Sequence, residues 1–217
     1  MHKSWMQAAI VASAMGTLGA VTANAQAGEV KSLSKTDISV GLYGAFGGTT
    51  SANGAQQSPS NSAGGIIEVR HLANPLVGFE GTYSFNHADQ TYSELVCPVT
   101  TGMTPPCNPT QAVKANAHEL TADYVPSVKI ANLRPFGVLG VGLLLNEPAS
   151  GQTATTSSNK IVYVYGAGLD WGLLPHIGLR FQYRGNLYKA PDLSTLYGST
   201  GAFTHTAEPM IGVYLRL

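Results

Sequence analysis

The feature that most restricts this chain is an alternation of period two. One face is apolar throughout, and within the clear segments every charge falls on the other. Successive side chains of a β-strand point to opposite faces, so the pattern specifies strands set between two unlike environments. Ile38, Val40, Leu42, Gly44 and Phe46 oppose Ser39, Gly41, Tyr43, Ala45 and Gly47. Val77, Phe79, Gly81, Tyr83 and Phe85 oppose Gly78, Glu80, Thr82, Ser84 and Asn86. Ile177, Leu179, Phe181 and Tyr183 oppose Gly178, Arg180, Gln182 and Arg184, and Ile211, Val213, Leu215 and Leu217 oppose Met210, Gly212, Tyr214 and Arg216. Residues 64–71, 117–125, 134–145 and 161–171 supply four further segments, which brings the total to eight. The stretch 134–145 is apolar on both faces, so its orientation stays open.

A water-soluble barrel turns apolar residues inward and charges outward. Here only 11% of residues are charged, against roughly 25% in ordinary soluble domains. An uncharged outer face suits lipid, where an arginine or lysine at the midplane costs about 2–4 kcal/mol. The connections agree. Residues 49–63, 87–114, 146–160 and 189–204 are long and rich in Ser, Thr, Gly, Asn and Pro, whereas 73–75, 126–133 and 172–175 are short. Long loops at one end and short turns at the other are the habit of bacterial outer-membrane barrels, whose short turns face the periplasm. Strands near ten residues match a tilted membrane crossing. Tyr83, Tyr163, Tyr165, Trp171 and Tyr183 are candidates for interfacial aromatic girdles. The expected fold is all-β: an eight-stranded antiparallel up-and-down transmembrane β-barrel over residues 38–217.

The N-terminus reads as an export signal. His2 and Lys3 precede an apolar stretch of small residues from Met6 to Val21, and Ala23-Asn24-Ala25 offers a cleavage site. Ala25-Gln26-Ala27 is a second site. Residues 1–25 are therefore expected to be a signal peptide and 26–37 a short periplasmic lead. Beyond them no apolar run reaches the ~18 residues of a membrane helix. The formal net charge of zero argues against nucleic acid as a partner, because phosphate binding needs a surplus of Lys and Arg.

From residue 38 to 217 the chain resembles the OmpA-like outer-membrane β-barrel superfamily of small eight-stranded barrels. Arg70-His71-Leu72-Ala73-Asn74-Pro75-Leu76-Val77-Gly78-Phe79-Glu80 is similar to the turn between strands two and three of that group. The resemblance implies a monomer set in outer-membrane lipid and lipopolysaccharide, delivered by periplasmic chaperones and the barrel-assembly machinery. Two departures are visible. Such barrels usually end in an aromatic residue where this sequence has Leu217, and no peptidoglycan-binding domain is expected.

On this reading the barrel interior holds Glu68, Arg70, Glu80, Glu119, Asp123, Asp170, Arg180, Arg184, Glu208 and Arg216. Buried charges must pair, because isolated burial is very costly. An eight-stranded barrel is just wide enough for side chains to fill. The expected interior is a plug of ion pairs, with Arg180 and Arg184 against Glu80, Glu119 and Asp123 as the gate of a narrow small-solute channel in the alternative reading. A third reading is a lipid A-modifying enzyme built on His205, Thr206 and Glu208. His118 and Glu119 are adjacent on one strand and face opposite ways. No cofactor or metal is expected. Cys97 and Cys107 are expected to form a disulfide in an oxidising compartment, closing a short loop worth about 2–3 kcal/mol. The loops 49–62 and 146–160 are uncharged or nearly so, and either contact surfaces or stay solvated. The expected role is structural or interactive, through surface loops on a plugged barrel.

Overall fold

The structure is a computed structural model in which residues 35–95 and 110–217 are described. The expected signal peptide, lead residues 26–34, Cys97 and Cys107 lie outside the described residues. Ten strands follow in chain order: β1 (Lys35–Gly47), β2 (Thr50–Ala52), β3 (Ala55–Pro59), β4 (Ser62–Leu72), β5 (Val77–Glu94), β6 (Gln111–Pro126), β7 (Leu133–Pro148), β8 (Ser158–Gly172), β9 (Ile177–Lys189) and β10 (Phe203–Arg216). Eight of them form a closed antiparallel ring in the order β1, β4, β5, β6, β7, β8, β9, β10, with β10 pairing back onto β1. Closure leaves no lipid-facing strand edge, which hydrocarbon would penalise. The seam between first and last strand is tight. Gly41 and Gly212 lie opposite each other there. A Cβ at Gly41 would sit 2.7 Å from the Ile211 carbonyl oxygen, and one at Gly212 would sit 2.9 Å from that of Val40.

The alternation in sequence becomes an alternation in exposure. Val40, Leu42, Phe79, Leu120, Tyr163, Trp171, Ile211 and Val213 are exposed on the outer wall. Asp37, Ser39, Glu80, Thr82, Thr121, Asp170, Arg180 and Arg184 are buried inside. β7 resolves in the same way: Phe136, Val138, Leu144 and Asn146 point inward, and Leu139, Val141, Leu143 and Leu145 point outward. It is apolar on both faces because its inner residues join Val125, Val162, Val164 and Tyr188 in an apolar inner wall.

The strands run further than the apolar alternation predicts. β5 continues to Glu94 and β6 begins at Gln111, so much of the expected 87–114 loop is ladder. Past the lipid the outer face meets water, so the apolar signal on that face stops while hydrogen bonding continues. Inside the expected 49–63 loop, β2 and β3 form a hairpin around Asn53 (φ 54°) and Gly54 (φ 76°). Positive φ at both central residues is the twist-matched two-residue turn that Asn-Gly favours. β3 then pairs with the far end of β5. At the other end β1 begins at Lys35, earlier than the expected Ile38, which brings Asp37 into the lumen.

Candidate functional site

Arg180 is the centre of the lumen. Its β9 position faces inward, and its guanidinium reaches across β10 and β1. Nη2 donates to Asp37 Oδ1 at 2.8 Å and Nη1 donates to Glu68 Oε2 at 2.9 Å. Nε donates to Asp170 Oδ1 at 2.7 Å, and Nη1 also lies 3.3 Å from Glu80 Oε2. Arg70 on β4 completes the layer, donating to Glu80 Oε2 at 2.7 Å and to Asp170 Oδ2 at 3.1 Å. Phe136 on β7 lies beneath the Arg70 guanidinium, 4.0 Å from the ring centroid, and 5.6 Å from that of Arg180. Glu68 also accepts from the Ser39 hydroxyl at 2.5 Å. Arg70 and Arg180 are fully buried. Such burial is tolerable only with this density of counter-charge, since removing one partner strands the others in a medium of low polarisability.

A second layer lies toward the loop end. Arg184 Nη2 donates to Glu119 Oε1 at 3.0 Å, and its Nη1 stands 3.6 Å from Asp123 Oδ2. Asn186 donates its amide to Glu119 Oε2 at 2.8 Å, while Thr121 and Thr82 donate to Asp123. Glu208 is buried in this layer and has no ion pair among the described residues. Above the layer is a cavity of about 40 Å³ lined by Tyr43, Asn86, Glu119, Asn186, Tyr188 and Glu208, among others. At the turn end a separate open mouth is lined by Lys129, Arg134, Asp170 and Arg216.

The residues expected inside thus divide. Glu68, Arg70, Glu80, Asp170 and Arg180 form one ionic layer, and Glu119, Asp123 and Arg184 form another. Glu208 joins neither by an ion pair. Arg216 stands at the rim, partly exposed, with its guanidinium 5.7 Å from the Tyr214 ring. The expected gate is split, since Arg180 and Arg184 hold different carboxylates. Asp37 completes the first layer and was not anticipated, because Lys35-Thr36-Asp37 reads as a polar lead. His205, Thr206 and Glu208 do not converge: Thr206 and Glu208 face inward, and His205 faces outward, its Nε2 2.8 Å from the Tyr165 hydroxyl. His118 likewise faces outward, with its Nδ1 2.8 Å from the Tyr83 hydroxyl, while Glu119 faces inward.

The loop end carries a structured cap. The 190–202 loop between β9 and β10 reaches across the mouth to β5 and β6, which stand opposite in the ring. Tyr92 on β5 donates its hydroxyl to the Pro191 carbonyl at 2.7 Å and accepts from the Leu193 amide at 3.0 Å. Leu193 and Tyr197 pack with Tyr92, Val113 and Ala115 in a buried cluster. Thr156 and Leu193, and Thr195 and Ala154, tie this loop to the 149–157 loop by backbone hydrogen bonds. Asn53 of the β2–β3 turn donates to the carbonyls of Ser199 and Thr200.

Residues 13–205 match the family described as outer membrane protein beta-barrel domain. No curated protein sequence matches the chain. Among solved structures, OprG from Pseudomonas aeruginosa is similar at 12% identity and a TM-score of 0.55, over 85% of this chain and 96% of that one. Neisserial surface protein A is similar at 12% identity and a TM-score of 0.53, over 83% of this chain and 96% of that one. Ail, the attachment invasion locus protein of Yersinia pestis, solved with the heparin analogue sucrose octasulfate, is similar at 17% identity and a TM-score of 0.51, over 86% of this chain and 100% of that one. Identities this low carry a likeness of fold.

Proposed function

The chain belongs to the outer membrane protein β-barrel domain family, and from that premise we propose that it is a plugged envelope barrel that acts structurally or through its loop end, by adhesion or interaction at the cell surface. The carrying observation is the layer around Arg180. One guanidinium joins carboxylates from β1, β4, β5 and β8 across the full width of the lumen, and Phe136 fills the remaining side. An ion would have to part these pairs to pass. The reading includes export by cleavage after Ala25, a monomeric barrel in lipid and lipopolysaccharide, short turns in the periplasm and the knitted loops outside. A surface of joined loops presents a fixed shape, which favours recognition over a merely solvated fringe. Attachment is the role in the name of the Yersinia pestis neighbour, and it is the kind of interaction proposed.

The outward His205 and His118 weigh against a lipid-modifying activity, since nucleophile, base and acid must meet in space. The test is single-channel recording of folded protein in planar bilayers, with folding established by heat-dependent gel mobility. Silent bilayers holding inserted protein are expected. Steady, reproducible steps would overturn the plug and give the channel reading first place.

A further inference from the structure

Above the ionic layers lies a compartment whose chemistry neither the plug nor the surface loops use. Its floor is the Arg184 layer. The 190–202 loop packs beside it, through the cluster that contains Ala115, a residue that also lines the compartment. Three acceptor oxygens on its lining, Glu208 Oε2, Asn186 Oδ1 and Asn86 Oδ1, are buried and have no protein partner. Asn186 and Glu208 are themselves 1% and 5% exposed. The orientation of Asn186 is fixed chemically. Its amide nitrogen must face the Glu119 carboxylate, to which it donates at 2.8 Å, so its carbonyl oxygen faces the other way.

All three open valences are acceptors, so an occupant must donate. The charge around them is also one-sided. Glu119, Asp123 and Glu208 share the single cation Arg184, and only Glu119 and Asp123 approach it within ion-pair distance. The remaining wall is mixed, with Tyr43, Tyr188, Leu144, Ala88 and Ala115 beside the polar Ser62, Ser84, Gln90, Asn146 and Thr206. A bare metal ion fits poorly, because no group of three or more acidic, His or Cys ligands converges among the described residues. An ammonium group with a short aliphatic body fits both halves. Its hydrogens meet Glu208, Asn186 and Asn86, and its body lies against Leu144 and the tyrosine rings, whose faces also attract cations.

We propose that the loop-end half of the lumen is a binding pocket for a small organic ammonium ion, received at Glu208 and Asn186. The proposal goes beyond the plugged-barrel reading and takes from it only the floor.

The test is calorimetric titration of the full chain, folded in detergent micelles at low salt, with n-butylammonium and with n-butanol as its uncharged counterpart. Saturable one-to-one binding of the ammonium is expected, with no binding of butanol over the same range. E208Q is expected to weaken binding at least about tenfold, the scale of one lost charge-assisted hydrogen bond. E147Q, at an exposed site, leaves it unchanged. Absence of saturable binding would mean that the compartment holds water alone, and equal binding of butanol would mean a plain apolar void. Either result overturns the proposal. If E208Q does not fold, the comparison of amine with alcohol on the unaltered chain still decides. Bilayer conductance reports on the plug independently, so the two readings fail separately.

Discussion

Arg180 concentrates the electrostatics of the molecule in one side chain. Replacing it with Met leaves Asp37, Glu68, Glu80 and Asp170 facing one another with Arg70 as their remaining partner cation. Breaking a buried pair typically costs about 3–5 kcal/mol, so Arg180→Met is expected to lower the urea midpoint of the folded barrel by that order. Glu208 is the opposite case. It is a buried carboxylate with no ion pair, and Glu208→Gln is expected to hold or raise the same midpoint. A marked fall would show that Glu208 has a partner essential to stability. The sequence announces Arg180 and Arg184 because each falls on the inner face of a clean apolar alternation, between Leu179 and Phe181 and after Tyr183. It conceals Asp37, whose neighbours Lys35 and Thr36 give no such frame. Pairing is equally hidden: that Arg180 selects Glu68 and Asp170 while Arg184 selects Glu119 follows from strand tilt, which no spacing along the chain reveals.

Strand identity and the two faces were legible wherever lipid meets the wall, because hydrocarbon enforces the pattern. Strand ends were not, because β5 and β6 leave the lipid and keep their ladder, and there the outer face carries His87, Asp89, Thr91, Lys114 and Asn116. The β2–β3 hairpin carries its signal openly in Asn53-Gly54, yet the flanking Thr50–Ala52 and Ala55–Pro59 lack the hydrophobic alternation that marks a strand. The cap was illegible, since its anchor is a single tyrosine. Tyr92→Phe removes the bonds to Pro191 and Leu193, a loss of about 1 kcal/mol per bond. Faster amide exchange and proteolysis confined to 190–202 are expected, with the global urea midpoint almost unmoved. Loss of the whole barrel in this variant would mean that the cap is part of the fold and not a lid upon it.

The molecule as a whole depends on closure. β1 and β10 are the first and last described strands, and their pairing runs from Asp37 with Arg216 to Gly47 with Thr206. Deleting residues 203–217 leaves β1 and β9 as open edges, whose unpaired amides and carbonyls hydrocarbon cannot satisfy. Such a chain is expected to show no heat-modifiable band in any detergent or bilayer. A folded, protease-resistant species of this length would contradict the role assigned to the seam.

The reach of Arg180 over that seam also bears on how the chain enters its membrane. A guanidinium on the ninth strand finds Asp37 on the first only when the ring is complete, and a slip of β1 by one residue would turn Asp37 and the other inner groups of that strand toward hydrocarbon. Insertion and circularisation therefore have to be concerted. An unclosed curl in the bilayer would expose its arginines, and a misregistered one would lose their counter-ions, so the ionic layer proofreads the assembly that it later holds shut.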